Sequence, residues 1–119
     1  MNVKEDSNIA KKRNVIIYGF LQKRSKYIHL WKTRFFILTY NYLFAFTGVE
    51  NDADCTMALD LNNITEVSEI SSHNTNKKEF VIKTNTVEYF FRGENENMRT
   101  KWIEQINTAR ELKKKSKKL

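Results

Sequence analysis

The fold of this chain is decided by two short stretches, GFLQK at residues 19–23 and WKTRFFIL at residues 31–38. The first closes a run of β-branched and aromatic residues that begins at residue 14, and such runs are typical of strands. The second is equally rich in aromatic and apolar residues. Because a short basic loop separates them, the sequence predicts two neighbouring strands with a cationic connection.

Three cations lie at the ends of these strands that meet the loop. Residues two apart in a strand share a face, so Lys23 lies on the face of Leu21. By the same spacing, Lys32 and Arg34 lie on the face of Phe36. If that face becomes the interior, the three side chains point at the mouth of the core. Burying a charge without a partner is costly, so the pattern predicts an anion at that position.

The length and composition of the chain indicate one globular domain. Its 119 residues fit a single core, and 40% hydrophobic with 13% aromatic residues are typical of a folded protein. No apolar run approaches the roughly 20 residues that a membrane-spanning helix needs. The N-terminus lacks the apolar core of a signal peptide, and Cys55 has no second cysteine to pair with, so we expect a cytoplasmic protein.

The net charge of +7 is unevenly distributed along the chain. Residues 7–49 contain eight bases and no acid, residues 50–96 contain ten acids against four bases, and residues 97–119 contain eight bases against two acids. A charge that is polarised in this way favours docking of one face to an anionic surface. The acidic middle third argues against a continuous nucleic-acid track, so no nucleic acid partner is expected.

Five more strands follow the first pair, each bounded by polar turn residues. They are predicted at residues 42–47, 57–61, 64–70, 78–84 and 87–92. Asn62 and Asn63 separate the second and third of these strands, which predicts a hairpin between them. Seven short strands with polar turns imply a sandwich or barrel.

The periodicity of the sequence changes after Gly93. Asn95 is a suitable N-cap for a helix, and acidic residues flank it where the helix dipole favours them. Apolar side chains then recur at three- or four-residue spacing, at Met98, Trp102, Ile106 and Ala109. This spacing predicts an amphipathic helix whose apolar face covers one end or edge of the barrel.

Seven strands and one C-terminal helix resemble the pleckstrin homology (PH) domain family. GFLQK matches the G-x-L-x-K motif of its first strand, WKTRFFIL matches W-K-x-R-x-F-x-L of its second, and Trp102 stands in the place of its helix tryptophan. The resemblance implies a mostly β fold, a bent seven-stranded sandwich or barrel capped by the helix. We therefore expect a flexible lead-in at residues 1–13, the PH domain at residues 14–112 and a basic tail at residues 113–119.

The resemblance also implies a function, because many PH domains bind phosphoinositide headgroups at their open end. Those members carry a K-x(n)-[K/R]-x-R pattern, which Lys23, Lys32 and Arg34 match. These three residues are expected to bind lipid phosphates, and Arg24 and Lys26 on the loop are expected to contact phosphates or the bilayer surface. Arg34 is the strongest single candidate, since its planar guanidinium can bind one phosphate through two hydrogen bonds.

The loop between the two strands also carries candidate membrane contacts. Tyr27, Ile28 and His29 follow its cations, and aromatic side chains are favoured at the bilayer interface. Packing within the loop is the alternative for these residues.

One position departs from the family pattern. Ala45 stands where binders of 3-phosphorylated inositides carry a tyrosine on the third strand. The missing hydroxyl argues against stereospecific recognition of a trisphosphate. Looser binding of a bisphosphate, or of a phosphomonoester such as phosphatidic acid, remains open.

The predicted function is therefore membrane targeting by binding of anionic phospholipids, in a monomeric, peripherally membrane-associated protein without a cofactor. The alternative is a protein-interaction module of the same fold that has no specific lipid requirement. The sequence carries no catalytic set, metal-ligand spacing or glycine-rich phosphate loop, so no enzyme is predicted. The Asn- and Lys-rich composition without proline suggests a relative of small lipid-anchored PH proteins from apicomplexan parasites.

Overall fold

The computed structural model describes residues 14–26, 29–70 and 77–117, so the predicted lead-in at residues 1–13 lies outside the described part. The elements in chain order are β1 (Val15–Arg24), β2 (Trp31–Thr39), β3 (Tyr42–Phe46), β4 (Cys55–Asp60), a 3-10 turn (Leu61–Asn63), β5 (Ile64–Glu69), β6 (Glu79–Thr84), β7 (Glu88–Arg92) and α1 (Glu96–Lys117). The predicted fold class, seven strands with one C-terminal helix, is confirmed.

The seven strands form one antiparallel sheet in the order β4–β3–β2–β1–β7–β6–β5. β1 pairs with β2 along its length. With its other neighbour, β7, it pairs through only two residues, Gln22 and Lys23. The sheet therefore bends at β1, and side chains from its two halves, β1–β4 and β5–β7, meet in one core.

The connection between β4 and β5 differs from the prediction. These strands lie at opposite ends of the strand order and do not pair, so the predicted hairpin through Asn62 and Asn63 is wrong. A local contact replaces the hairpin. The Asp60 carboxylate accepts a hydrogen bond from the Asn62 backbone N–H at 2.8 Å, and this contact starts a 3-10 turn. This turn carries the chain from one half of the sheet to the other and buries Leu61.

The main core lies between the two halves of the sheet and is covered by α1. Its largest fully buried side chains are aromatic: Trp102, Phe36, Phe80 and Phe91. The Phe36 ring lies edge-on to Phe91, with ring centroids 5.5 Å apart, and edge-on to Trp102 at 6.4 Å. Edge-to-face contacts stabilise aromatic pairs beyond their buried area. Phe36 thereby connects both halves of the sheet to the helix.

α1 is positioned by polar contacts near its first turn. The Asn95 side chain accepts a hydrogen bond from the Met98 backbone N–H at 2.9 Å, as expected of an N-cap. The buried Arg99 side chain donates to Glu69 of β5 at 3.0 Å. The apolar stripe predicted for this helix faces the main core. In the described part of the chain, no helix is both long enough and apolar enough to cross a membrane.

The C-terminal end of α1 lies at the other end of the domain from the β1–β2 loop. Lys113 Nζ donates to the Asp60 carboxylate at 2.7 Å and to the Asn41 carbonyl oxygen at 3.1 Å, beside the turn between β2 and β3. The nine residues of β2 span roughly 30 Å between that turn and the loop. The helix continues through Lys117, so the predicted basic tail begins within its last turns.

Replacing Trp102 by alanine should destabilise the domain, because the indole is 1% exposed and packs against the core aromatic cluster. We expect a loss of about 3–5 kcal/mol in the free energy of unfolding, measured by chemical denaturation. The matched control is Leu112→Ala on the same helix, where the side chain is 47% exposed. That change should stay within about 0.5 kcal/mol. Equal losses in both variants would contradict this description of the core.

Candidate functional site

The register of β1 against β2 brings the predicted cations to one end of the sheet. Lys23 lies directly opposite Lys32. One step inward on the same face, Leu21 lies directly opposite Arg34. Leu21 is buried in the main core. Lys23 and Lys32 lie on the same face, one step closer to the β1–β2 loop, and that end of the core is called its open end. Lys23 and Arg34 are half-buried there, whereas Lys32 is exposed.

These three cations have no carboxylate partner within the described residues. Elsewhere in those residues, five basic side chains lie within 4.0 Å of a carboxylate oxygen: Lys83, Arg92, Arg99, Lys113 and Lys114. The difference follows from the sequence, since residues 7–49 contain no acid that could pair locally. A cluster of like charges without counter-ions favours an external anion.

Burial and like charge both act on Lys23. Partial burial lowers the pKa of its ammonium group, and the positive charge of Arg34 lowers that pKa further. The ammonium also lies 5.4 Å from the centroid of the Tyr89 ring on β7, a cation–π contact. Arg34 donates through Nη1 to the Thr33 carbonyl oxygen at 2.9 Å, which uses one of its five N–H groups.

Arg24 and Lys26 have different surroundings from this three-cation cluster. Because successive residues of a strand point to opposite faces, Arg24 lies on the outer face of the sheet. Its guanidinium stacks on the Phe90 ring of β7 at 4.0 Å. Lys26 is exposed just after the end of β1. The structure therefore brings Lys23, Lys32 and Arg34 together but places Arg24 on the other side of β1.

The β1–β2 loop lies at the same end as the cluster. The Ser25 backbone N–H donates to the Leu30 carbonyl oxygen at 2.6 Å and closes the base of the loop. His29 is exposed and has a φ of 54°, a left-handed conformation that histidine adopts more readily than most residues. The other predicted membrane contacts, Tyr27 and Ile28, lie outside the described residues.

A cavity of about 190 Å³ lies where the end of β1 meets the start of β7. It is lined by Lys23, Arg24, Ser25, Lys26, Val87, Glu88, Tyr89 and Phe90. Lys32 and Arg34 are not in this lining, so the cavity shares only Lys23 with the three-cation cluster. Sequence reasoning missed Tyr89 and Phe90, because spacing along one strand does not show which strand lies beside β1.

Ala45 has a structural position that explains its small size. It lies directly opposite Phe36 in the β2–β3 pairing and is fully buried in the main core. Its methyl group supplies no hydroxyl to a phosphate. The tyrosine that contacts Lys23 comes from β7 instead, at Tyr89.

The sequence model of the family described as PH domain matches residues 15–111. The chain belongs to the PH domain family. Ventricular zone-expressed PH domain-containing protein homolog 1 of Rattus norvegicus is 30% identical over 91 residues, which cover 74% of this chain and 11% of that protein. The chain thus spans about a tenth of the length of the curated relatives it matches.

Two solved PH domains are similar to this one in structure. The PH domain of Slm1 in complex with phosphoserine has a TM-score of 0.73 at 23% identity, covering 82% of this chain and 97% of that chain. The C-terminal PH domain of pleckstrin in complex with D-myo-Ins(1,2,3,5,6)P5 has a TM-score of 0.67 at 31% identity, covering 81% and 95%. Both similarities extend over most of the described part of this PH domain.

The substitution Arg34→Ala should raise the pKa of Lys23 towards its ordinary value, because it removes one of the two causes of the depression. Burial remains, so we expect a partial recovery. NMR titration of the Lys23 side chain measures this pKa. The control is Lys32→Ala, which removes an exposed charge and should change the pKa of Lys23 less. A larger effect of the control would contradict the arrangement of the cluster.

The same depression determines how Lys23 affects stability as the pH changes. The unfolded chain binds this proton more tightly than the folded chain, so the stability contributed by Lys23 rises with pH. The rise lies between the lowered pKa and the ordinary lysine pKa of about 10.4. It should be lost in Lys23→Met when unfolding free energies are compared across that window. Parallel pH profiles of the two proteins would contradict the lowered pKa.

Proposed function

We propose that this PH domain binds anionic phospholipid headgroups, either a phosphoinositide or phosphatidic acid, through Lys23, Lys32 and Arg34. The observation that carries the proposal is the cluster of these cations at the open end of the core, without a carboxylate partner in the described ranges. Arg24 and Lys26 add attraction to the bilayer. The protein would then act as a monomer at the cytoplasmic surface of a membrane, without a cofactor.

Burial lowers the pKa of Lys23, and repulsion from Arg34 lowers it further. A phosphate between Lys23 and Arg34 would offset that repulsion. The guanidinium of Arg34 can hold it through two parallel hydrogen bonds, which a lysine ammonium cannot do. A phosphomonoester carries about −1.5 to −2 charge at neutral pH, so one group neutralises two cations. Phosphoserine and D-myo-Ins(1,2,3,5,6)P5, found with the similar domains of Slm1 and pleckstrin, both present phosphomonoesters.

The β1–β2 loop orients the domain on the membrane in this proposal. Leu30 is 57% exposed at the end of the sheet that carries the cations, so it can enter the interface while the cations bind phosphate. The basic last turns of α1 lie at the other end of the domain. Exposed charges are screened beyond about 8 Å at physiological ionic strength. These turns therefore add little to binding of the same membrane.

A protein-interaction module without specific lipid binding is the second candidate function. The outer face of the sheet favours it, because Arg24 stacks on Phe90 and Arg92 stacks on Trp31 at 3.8 Å. Arginine and aromatic side chains are enriched at protein interfaces. High salt separates the two functions, since it screens exposed charges bound to lipid but leaves apolar contacts intact.

Arg34→Ala should weaken binding to vesicles that contain phosphatidic acid or phosphoinositides. We expect about a tenfold loss or more, because a hydrogen bond to a charged group contributes about 1.5–3 kcal/mol. Lys23→Ala should have a milder effect. Vesicle sedimentation at physiological ionic strength measures the affinity. Phosphatidylcholine vesicles give the background, and phosphatidylserine vesicles test whether a phosphomonoester is required.

The matched control is Lys101→Ala, which removes the same charge from the exposed side of α1 and should bind like the wild type. Arg24→Ala tests the outer face of β1. If Arg24→Ala abolishes binding while Arg34→Ala does not, the headgroup lies on the outer face and the site assignment is wrong. The second candidate function is favoured if the wild type binds none of these vesicles above the phosphatidylcholine background while it binds a protein partner in high salt.

A further inference from the structure

The outer face of β1 carries an exposed aromatic surface that the proposed headgroup site does not use. Tyr18 is 66% exposed and Phe20 is 55% exposed. Both rings contact Phe35 of β2, with ring centroids 6.0 and 5.4 Å apart. They line a groove of about 590 Å³ together with Val15, Gly19, Phe35, Ile37 and Val49. A groove of this volume is large enough for several side chains of a bound ligand.

The floor of this groove is already packed. Phe35 and Ile37 belong to a second apolar cluster on the outer face of the sheet, with Phe46 and Ala53. Tyr18 and Phe20 stand above this cluster and expose most of their side chains. Contiguous exposed apolar surface on a packed support is typical of protein interaction sites.

The loop between β3 and β4 borders the groove at Val49 and carries three acids, and this loop is called the acidic rim. Val49 lies in the loop between β3 and β4, and the same loop carries the exposed side chains of Glu50, Asp52 and Asp54. Within the ranges that the structure describes, none of these three carboxylates forms an ion pair. They are the first acids after the acid-free residues 7–49, in a chain of net charge +7. Asp52 and Asp54 flank Ala53, which packs in the outer cluster with Phe35 and Ile37, so the loop beside the groove is negatively charged on a basic protein.

We propose that this groove binds a segment of a partner protein in which apolar side chains alternate with lysine or arginine. The apolar side chains would pack on Tyr18, Phe20 and Phe35, and the basic side chains would pair with the acidic rim. Charge complementarity selects this partner, because the net charge of +7 opposes a cationic segment elsewhere on the domain. A lipid headgroup is repelled by the same rim.

The groove and the headgroup site lie on opposite faces of β1. Phe20 and Lys23 are three residues apart, about 10 Å along the strand, and point to opposite sides of the sheet. The two sites can therefore be occupied at once. The inference does not rest on the proposed function, and loss of one activity leaves the other measurable.

A short fluorescent peptide of alternating leucine and lysine is the probe for this site. We expect it to bind the full chain in solution, and Phe20→Ser should weaken that binding by roughly tenfold or more, as for a central aromatic contact. The combined change Glu50→Gln and Asp52→Asn should also weaken it, and added salt should reduce that difference. Fluorescence anisotropy measures the affinity. A peptide of alternating leucine and glutamate should not compete for the groove.

Matched controls distinguish binding in the groove from nonspecific binding elsewhere on the protein. Leu112→Ser removes an apolar side chain of similar exposure from α1, and the combined change Glu104→Gln and Glu111→Gln removes two acids from the same helix. Both should bind the peptide like the wild type. Equal binding by Phe20→Ser and the wild type would overturn the proposal.

Two further outcomes would also overturn the proposal, because each would show that something other than a partner protein occupies the groove. If the protein sediments as a dimer that Phe20→Ser dissociates, a second copy of the chain occupies the groove. If the single substitution Ile9→Asp raises the affinity for the peptide several-fold, the chain's own residues 1–13 compete with the peptide for the groove. A monomer whose peptide affinity does not depend on Ile9 supports the proposed partner.

Discussion

The antiparallel register between β1 and β2 is the constraint on which the rest of the structure depends. A shift of one residue would move every side chain of β1 to the opposite face of the sheet. In the observed register Leu21 enters the core and Lys23 reaches its open end beside Arg34. The same pairing places Phe36 where it meets both β7 and the helix. The packing of the core, the contact with α1 and the cluster of cations therefore all follow from the backbone hydrogen bonds between β1 and β2.

Apolar character alone does not select this register, because both faces of β1 are apolar along much of its length. Gly19 distinguishes the observed register from a register shifted by one residue. A methyl group at Gly19 would contact the Trp102 indole at 3.8 Å, an ordinary van der Waals distance, so a much larger side chain at that position would displace the indole. A slip of one residue would bring Tyr18 or Phe20 towards the indole, and overpacking a core is destabilising. The two aromatic side chains are therefore held on the outer face, where they stand above the floor of the groove.

The sequence predicts what depends on local spacing and misses what depends on strand neighbours. The parity of the strand pair and the N-cap at Asn95 follow from residues two or three apart, and both appear in the structure. The hairpin at Asn62 fails because the side chain of Asp60, the last residue of β4, starts a 3-10 turn, and strand periodicity does not predict such a contact. Tyr89 beneath Lys23 could not be predicted, because β1 and β7 are distant in sequence and pair at only two residues. The suggested relation to lipid-anchored parasite proteins stays a prediction.

Basic residues precede acidic residues along this part of the chain, and the fold places the two groups on different sides of β1. Holding Lys23 and Arg34 close together and partly buried costs free energy, as the lowered pKa of Lys23 indicates. A carboxylate nearby would remove that cost, but it would also occupy the position of an external anion. Residues 7–49 contain no acid, and in the part of the chain that the structure describes no carboxylate oxygen lies within 4.0 Å of either cation. The next acid is Glu50, directly after Val49 of the groove lining. In the two proposals, the same strand presents a cationic end to a membrane and an aromatic face beside an acidic loop to a basic partner. The alternation of side chains along the strand keeps the two sites on opposite sides of the sheet.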